Sequence, residues 1–491
     1  MALRTMKATN TIFILSDEHN RDFLGCVGNS FVKTPHLDRL AVEGARFANA
    51  YTNSPVCVSA RASLATGRYP HQIKAWDSTM PYDGSVKGWA SRLVTQGHEV
   101  TSIGKLHYRN TFDPNGFSEE IIPMHVHNGT GWLSSLLRDP PVKIEGANDM
   151  AETIGAGETR YTVYDRTITD MACDWIDSAA GQRHDKPWVL YVGLVAPHFP
   201  LVAPQEFFDL YSDIEIPPPR QYESDERPQH PVIDAMRFWS NYDDYFDPEK
   251  VQIARWAYCG LCSFLDHNIG KILGAVEASG LTDNTRIIYT SDHGDNLGNR
   301  GLWGKSVMYD DAVAVPLIIN GPEIPRGVTL QTPVSLVDIH PTLTEFAGEV
   351  THPDDSDLPG TGLSRYLSVT DTEREVFSEY HDWSSITGMF MLRRGNWKLV
   401  VYPGHPCQLF DLEQDPDECC DLGSDPAYAS VIEDLKNNLK KICDYEEINQ
   451  RAFKDQKAKI ELLGGRDAIL NNPEQAYTPP PGLNIADQYE P

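Results

Sequence analysis

The sequence predicts an α/β protein whose main sheet presents its loops at one edge. Three apolar, partly β-branched runs at 11–15, 188–195 and 285–291 are typical of buried strands. Amphipathic stretches separate these runs, and the longest of them predicts a helix over about 248–279. Because strands alternate with helices, we expect an α/β sheet with polar side chains beyond the carboxyl ends of its strands.

The N-terminal part of the chain continues this alternation. Predicted helices cover 36–44, 57–66, 85–96, 164–178 and 338–346, and further predicted strands cover 99–103 and 314–320. Two stretches with little periodicity, 112–161 and 217–247, are interpreted as irregular insertions.

A break in the pattern at THPDDSDLPGTG (351–362) predicts a second, smaller domain. Strands near 375–379, 389–392 and 398–402 and a helix from about 428 to 457 are expected there. The end, AYTPPPGLNIADQYEP, is rich in proline and predicts an extended arm. The domains are therefore placed at 1–350, 351–465 and 466–491.

Net charge limits the kinds of partner. The chain of 491 residues has 42 Lys and Arg against 70 Asp and Glu, a formal net charge of -28. Such a surface repels nucleic acid and anionic lipid, so we expect neither as a partner. No apolar run reaches the roughly 18 residues that span a bilayer, and the first 20 residues lack the apolar core of a secretory signal. A cytoplasmic location is expected.

Cysteine usage argues against a disulfide framework, since the nine cysteines are odd in number and irregularly spaced. Cys259 and Cys262 lie within the long predicted helix, and no second Cys/His pair accompanies them. Packing within the helix is therefore the better interpretation of this pair than a zinc or redox site.

The stretch PVCVSARASLATGR (55–68) concentrates the chemistry. It predicts a helix with Cys57 at its N-terminus, where free backbone N–H groups and the helix dipole attract anions. Arg61 falls one turn later on the same face, within reach of whatever Cys57 holds. These features suit an oxyanion ester, whereas an arbitrary Cys-x-x-x-Arg is more often a buried structural cysteine beside a surface arginine.

The longer run CVSARASLATGRYPHQ (57–72) resembles the signature of the type I sulfatases of the alkaline phosphatase superfamily. In that family the cysteine is oxidised after translation to formylglycine (3-oxoalanine), whose hydrated aldehyde is the nucleophile. The resemblance implies this modification of Cys57 and a formylglycine-generating enzyme as maturation partner. Ser59 stands where the family usually has Pro or Ala.

Two acidic clusters follow predicted strands. Asp17 and Glu18 come after the first strand, and Asp292 and His293 come after the strand at 285–291. Carboxylates with one imidazole suit Ca²⁺, Mg²⁺ or Mn²⁺ rather than zinc. Loop capping is the usual role of a single such Asp, but two clusters at equivalent strand ends favour a metal site.

The resemblance covers these clusters as well. It implies Asp17, Asp292 and His293 as ligands of one divalent metal, with residue 57 completing the shell and Glu18 at a position usually held by Asp. His293 replaces the more common Asn, as in the phosphonate monoester hydrolase and choline-sulfatase-like branches. Ca²⁺ is the expected ion, and Mn²⁺ is its competitor.

Three further segments resemble family motifs. Gly-Lys-Leu-His (104–107) implies that Lys105 binds the sulfate oxygens and that His107 takes a proton from the covalent intermediate. Ala-Pro-His-Phe-Pro (196–200) implies that His198 faces the leaving-group oxygen, which Lys305 of Gly304-Lys305 also contacts. The resemblance therefore implies a large mixed, mostly parallel sheet flanked by helices. It also implies a smaller α+β domain with a four-stranded antiparallel sheet.

The predicted function is hydrolysis of a small organic sulfate monoester through a covalent sulfo-enzyme intermediate on residue 57. Lys105, Arg61 and the metal are expected to neutralise the equatorial sulfate oxygens. A phosphonate monoester or phosphodiester hydrolase with the same nucleophile is the alternative. A non-hydrolytic metal-binding relative with unmodified Cys57 stays possible.

Substrate identity is expected to lie in the two insertions. Their aromatic residues suit either a cage for a quaternary amine or packing and subunit contacts. These residues are Trp132, Phe238, Trp239, Tyr242, Tyr245 and Phe246. The arm from about residue 466 suits exchange between subunits, so a homo-oligomer is expected.

Overall fold

The computed structural model describes residues 6–143, 146–472 and 478–481. Its strands in chain order are β1 (Asn10–Asp17), β2 (Ala45–Phe47), β3 (Ala50–Tyr51), β4 (Val100–Lys105), β5 (Glu119–Met124), β6 (Ile154–Ala156), β7 (Val189–Pro197), β8 (Leu201–Ala203), β9 (Thr285–Ser291), β10 (Ala314–Val315), β11 (Leu317–Asn320), β12 (Val328–Leu330), β13 (Val334–Ser335), β14 (Val376–Tyr380), β15 (Met389–Arg394), β16 (Trp397–Val401) and β17 (Gln408–Asp411).

Helices surround the sheets. In chain order they are α1 (Pro35–Val42), α2 (Cys57–Thr66), α3 (Pro70–Ile73), α4 (Trp89–Thr95), α5 (Gly146–Glu152), α6 (Arg160–Ala180), α7 (Gln205–Phe208), α8 (Pro231–Ser240), α9 (Pro248–Ala278), α10 (Asp310–Val313), α11 (Ile339–Phe346), α12 (Ala429–Ile442), α13 (Tyr445–Leu462) and α14 (Arg466–Leu470).

The main sheet has eight strands in the order β12-β2-β11-β9-β1-β7-β4-β5. Strand β1 lies inside it and pairs in parallel with β7 and β9. Strand β11 runs antiparallel to β9, so the sheet is mixed but mostly parallel, as predicted. Because β1, β4, β7 and β9 run in the same direction, their carboxyl ends meet at one edge.

Both faces of this sheet are covered, which explains its nearly continuous apolar strands. On one face Phe13 of β1 packs in a cluster with residues of α2, α4 and α11. On the other face Ile12 and Ile14 pack in a cluster with residues of α6 and α9. Complete burial of such a side chain is worth roughly 1.5–3 kcal/mol. The central strands therefore form a rigid support for the loops at their ends.

The second sheet has the order β14-β15-β16-β17 and is antiparallel throughout, which confirms the expected four-stranded sheet. One face packs against α12 and α13 through Phe390, Leu435 and Ile448. The other face packs against residues near the N-terminus of α2, among them Val56. A buried ion pair of Lys398 with Asp310, 2.6 Å long, joins this sheet to the main body.

Several predicted elements differ from the structure because of local chemistry. The predicted strand 314–320 is two strands in different sheets, since Pro316 cannot donate a ladder hydrogen bond. The predicted helix 85–96 begins at Trp89, because Ser85 N donates to Asp83 Oδ1 in a turn. The predicted helix 428–457 is divided into α12 and α13, since Asp444 caps the N-terminus of α13.

The insertions contain more regular structure than expected. The stretch 112–161 includes β5, which extends the main sheet beyond β4, and the helix α5. The stretch 217–247 includes α8. Within the arm that begins at residue 466, α14 is a short helix, and residues 473–477 and 482–491 lie outside the described residues.

Two predictions drawn from composition can be compared with the described residues. Over 6–143, 146–472 and 478–481, no helix is long and apolar enough to cross a membrane. Cys259 and Cys262 are fully buried within α9 and belong to one apolar cluster, which confirms their packing role.

Candidate active site

Strand register brings polar side chains together at the carboxyl edge of the main sheet. The pairing of β1 with β9 leaves Asp17 and Asp292 side by side at the strand ends. Asp17 also pairs with Pro197 in β7, which brings His198 to the same edge. Lys105 ends β4, the neighbour of β7. The four side chains therefore come from the ends of four adjacent strands.

The glycine before Lys105 allows β4 to approach β7 closely. Gly104 has φ +95°, and a Cβ there would lie 2.3 Å from the carbonyl oxygen of Gly193. A larger residue at this position would displace the strand that delivers Lys105.

Helix α2 points its N-terminus at this edge, with Cys57 as its first residue. All ten residues of the helix are buried. This is possible because its small alanine and serine side chains let neighbouring elements approach closely on every side. Val56 precedes the helix in extended conformation and gives no side-chain cap to the first N–H groups. The helix ends at Gly67, whose φ is +68°. This is the helix predicted from the sequence, with the same bounds.

Four ligand-type side chains meet at the N-terminus of α2. The ligand atoms of Asp17, Cys57, Asp292 and His293 all lie within 4.8 Å of one another, and all four residues are buried. The Sγ of Cys57 is 3.2 Å from Nε2 of His293 and 3.6 Å from Oδ1 of Asp17. Two carboxylates and an imidazole at this spacing fit a hard divalent cation.

Glu18 extends the cluster toward His198. Its side chain groups with Asp17 and His198 in the same way, and its backbone φ is +68°, a strained value for a non-glycine residue. Oε1 of Glu18 is buried and has no hydrogen-bond partner within the part of the chain that the structure describes. Burial raises the pKa of Glu18 to about 7, with Asp295 adding to the rise and Lys305 opposing it. A carboxylate oxygen left unpaired in this way is suited to a cation.

Arg61 lies behind the carboxylates and does not line the pocket. Its Nε donates to Asp292 at 2.7 Å, and its Nη2 donates to Asp17 at 2.9 Å. Nη1 donates to the carbonyl of Lys105 and to the hydroxyl of Tyr191. Four hydrogen bonds therefore hold the guanidinium within the protein, two of them to the aspartates, and the role of Arg61 toward sulfate oxygens stays a prediction.

Two lysines bring positive charge to the pocket side of the cluster. Nζ of Lys105 is 2.7 Å from Oδ2 of Asp17. Nζ of Lys305 is 3.2 Å from Oε2 of Glu18 and 3.1 Å from Nε2 of His198. Burial alone would lower the pKa of Lys305, but Cys57 and the nearby carboxylates raise it well above its usual value. Lys305 is therefore a firmly charged ammonium group.

The two candidate proton-transfer histidines are held neutral. Burial lowers the pKa of His198 well below its usual value, and the charges of Lys305 and Lys105 lower it further. Burial, Lys105 and Arg61 have the same effect on the pKa of His107. Each ring is thus neutral near neutral pH, with one nitrogen that carries a lone pair.

These side chains open into a cavity of about 110 Å³. The predicted residues Cys57, Lys105, His107, His198 and Lys305 line its polar side. Six aromatic residues contribute to its remaining wall, and no Asp or Glu is among the described lining residues. The aromatic lining residues are Trp132, Tyr161, Phe199, Tyr242, Trp303 and Trp383.

Two of the six aromatic residues of the insertions lie where they could contact a substrate. Trp132 and Tyr242 line the cavity. Phe238 is 57% exposed, and Phe246 stacks on Trp303, with ring centroids 4.1 Å apart, behind the wall. Trp239 and Tyr245 are not lining residues.

Sequence reasoning missed residues that act at longer range. Asp165 of α6 accepts hydrogen bonds of 2.8 Å from the N–H groups of Val195 and Ala196, which shapes the segment before His198. Trp383 reaches the cavity from the second sheet region, and no local pattern marks it. Phe199 lies within the motif at 196–200, and Trp303 directly precedes Gly304. Their positions in the family motifs were the signal that could have identified them.

The fold and this site define a hydrolase of anionic esters within the alkaline phosphatase superfamily. The chain belongs to the sulfatase family, whose profile, described as Sulfatase, matches residues 9–349. A second profile, described as N-sulphoglucosamine sulphohydrolase, C-terminal, matches residues 298–444. The protein is accordingly a sulfuric ester hydrolase, which confirms the resemblance seen in its motifs.

Individual relatives agree with this assignment. The chain is 31% identical over 425 residues to the choline-sulfatase of Rhizobium meliloti (strain 1021), covering 85% of this chain and 83% of that protein. It is 28% identical to arylsulfatase K of Homo sapiens over 494 residues, covering 96% and 88%. The structure of the phosphonate monoester hydrolase SpPMH from Silicibacter pomeroyi shares the fold, with a TM-score of 0.71, 23% identity and coverage of 88% and 94%.

Proposed function

We propose that the chain hydrolyses sulfate monoesters of small organic alcohols, with residue 57 acting as formylglycine. The observation that supports this most directly is the position of Cys57. It begins α2, lies among Asp17, Asp292 and His293, and lines the cavity. A hydrated aldehyde there would supply one oxygen that attacks sulfur and a second hydroxyl that, on losing its proton, forms the carbonyl and expels sulfate from the covalent ester.

The unmodified thiol suits this chemistry poorly. Burial raises the pKa of Cys57 to about 12, and the charge of Asp17 adds to the rise. The thiolate is therefore disfavoured near neutral pH, whereas oxidation to an aldehyde removes the need for one.

The ligands proposed for one divalent cation are Asp17, Glu18, Asp292 and His293, with residue 57. Ca²⁺ is the proposed ion, and Mn²⁺ or Mg²⁺ are alternatives. When bound, such an ion supplies positive charge for sulfate oxygens and lowers the pKa of a hydroxyl on residue 57.

The chain's own residues then divide the remaining work. Lys105 faces the sulfate side of the cavity as a cation. Lys305 carries the proton of this pair and donates a hydrogen bond to Nε2 of His198, and we assign the two groups the delivery of a proton to the leaving oxygen. His107, which is neutral and lines the same cavity as residue 57, is assigned the removal of a proton from residue 57 when sulfate departs.

The composition of the cavity wall supports a substrate with a quaternary ammonium group. Six aromatic residues and no described carboxylate line the space. Aromatic faces bind such cations by about 0.5–2 kcal/mol each. The relative named choline-sulfatase is consistent with this class.

The first experiment is an intact and tryptic mass of protein produced in a host able to mature sulfatases. Conversion of the thiol of residue 57 to an aldehyde, with loss of sulfur and two hydrogens and gain of one oxygen, is expected. An unmodified thiol in a protein that still releases sulfate would overturn the assigned nucleophile. Metal content measured on the same sample by elemental analysis is expected to show one divalent ion per chain.

Substrate choice is tested by comparing choline sulfate with its neutral carbon isostere, dimethylbutyl sulfate. Both have the same shape, so a higher kcat/KM for choline sulfate isolates the contribution of charge. Equal values would contradict the cationic substrate class while leaving sulfate ester hydrolysis intact. A higher kcat/KM for a phosphonate monoester than for any sulfate would overturn the proposed reaction.

A further inference from the structure

Thr478 reaches the active site although it lies outside both matched family profiles, which end at residues 349 and 444. Its Oγ1 is 2.8 Å from Nε2 of His107. Its carbonyl oxygen accepts a hydrogen bond of 2.7 Å from the hydroxyl of Tyr161. All three residues line the cavity. The C-terminal arm is thus part of the cavity wall in this chain.

The arm is anchored on the same insertion that forms this wall. Ile469 of α14 is buried in a cluster with Leu133 and Leu136, which directly follow the cavity residue Trp132. Nη1 of Arg466 donates to the carbonyl of Pro140 at 2.8 Å. Beyond Thr478, Pro480 is buried. The arm is therefore packed against the rest of the protein at α14 and again at 478–480.

The ring of His107 depends on this contact. Its backbone has φ +60°, and its N–H donates to the carbonyl of Met124 at 2.8 Å, which fixes the main chain but not the ring. Nδ1 is buried and has no hydrogen-bond partner among the described residues. Nε2 is bonded to Thr478. Thr478 is accordingly the side chain that sets the orientation of the imidazole.

We infer that Thr478 is a positioning residue for His107 in the breakdown of the sulfated intermediate. This inference rests on the proposed function. With Nε2–H donating to Thr478 Oγ1, the lone pair of His107 lies on Nδ1. Nδ1 then accepts the proton of the free hydroxyl on residue 57, the C–O bond to sulfate breaks, the carbonyl forms and sulfate leaves with the bonding pair.

The distinguishing variants are Thr478→Val, which keeps the shape and removes the hydrogen bond, and Thr478→Ser, which keeps the hydroxyl. Both are made in the full chain with matured residue 57 and bound metal. We expect Thr478→Val to lower kcat by about tenfold, with KM changed by less than about twofold, since a positioned proton acceptor contributes about 10²–10⁴-fold and only its orientation is lost. Thr478→Ser is expected to retain the parental kcat.

A second measurement separates positioning from a general structural effect. If proton removal is slowed, the peptide with residue 57 should accumulate in its sulfated form during turnover of Thr478→Val, as seen by quenched mass spectrometry. Parental kcat in Thr478→Val, or a loss of kcat with no sulfated peptide, would overturn the inference. If the parental protein itself releases no sulfate, the proposed function fails instead, so the two failures are distinguishable.

Discussion

The guanidinium of Arg61 is bonded through Nε to Oδ2 of Asp292 at 2.7 Å, with both groups buried at 1% exposure or less. Its other nitrogens extend this contact to Asp17, which belongs to the same ligand cluster. One arginine from the second turn of α2 therefore holds two strand ends at the distance that the ligands require.

Replacement of Arg61 by lysine should disrupt this arrangement. Lysine cannot donate to two aspartates from a planar fork, so a buried carboxylate loses its partner. We expect a loss of about 3–5 kcal/mol in the free energy of unfolding and weaker metal retention during dialysis. Arg39→Lys is the matched control, because its pair with Glu277 is 41% and 53% exposed and should change stability by less than about 1 kcal/mol. Equal effects of the two changes would refute the bridging role.

Cys57→Ser tests the role of the second hydroxyl. A serine ester of sulfate has no adjacent hydroxyl whose proton loss would expel sulfate. We therefore expect a stable sulfated serine, at most one turnover per chain, and metal content equal to that of the parental protein. Quench-flow measurement of sulfate release counts the turnovers, and the peptide mass detects the sulfated serine. Multiple turnovers by this variant would contradict the assigned mechanism.

His198→Ala should distinguish substrates by their leaving groups. Because His198 and Lys305, which are in hydrogen-bond contact, are proposed to protonate the departing oxygen, an alkyl sulfate should lose about 10²–10⁴-fold in kcat/KM. An aryl sulfate with an acidic phenol needs less protonation and should lose far less. The ratio of the two losses is measured with choline sulfate and nitrophenyl sulfate. A uniform loss would assign His198 to binding rather than to proton transfer.

Acid stability should depend on Glu379, which links helix α3 to the second sheet. Its carboxylate is 2.8 Å from Nδ1 of His71 and 3.0 Å from Nε2 of His381. Burial would raise the pKa of Glu379, but His71 and His381 lower it from 4.5 to about 2. Because its pKa is lower in the folded state, the ionised Glu379 contributes stability to the fold. This contribution is present above about pH 4.5 and is lost as the pH falls toward 2.

The size of this effect follows from the shift. A change of about 2.5 pKa units corresponds to about 3 kcal/mol in the free energy of unfolding. In urea unfolding at several pH values, the free energy of unfolding should fall less steeply between pH 5 and pH 3 in Glu379→Gln than in the parental protein. Glu373→Gln, whose side chain is 74% exposed, should retain the parental dependence. Identical slopes for all three proteins would contradict the prediction.

The parts of the fold and site that were predictable from sequence share a local cause. Helix α2 has its predicted bounds because a Gly stop and a helix-forming run are adjacent in the chain. Asp17 and Asp292 were placed together correctly because each follows a buried strand, and parallel strands present their carboxyl ends at one edge. The roles assigned to these residues in the reaction stay predictions.

The features of the fold and site that could not be predicted depend on contacts between residues distant in sequence. Arg61 has the spacing to reach the pocket, but only the packed strand ends show that Asp17 and Asp292 occupy its donors. Pro316 separates two strands into different sheets, although the apolar run is continuous. The predicted domain bounds, cytoplasmic location and homo-oligomer stay predictions.

The sequence by itself determined the family and the residue types of the candidate site, because these depend on residue identity at short, fixed spacings. Tertiary structure decided which charges face the cavity, which aromatic rings form its wall, and that Thr478 meets His107. Such contacts join residues hundreds of positions apart, here 371. Their existence depends on how sheets and helices pack in space, which local pattern does not specify.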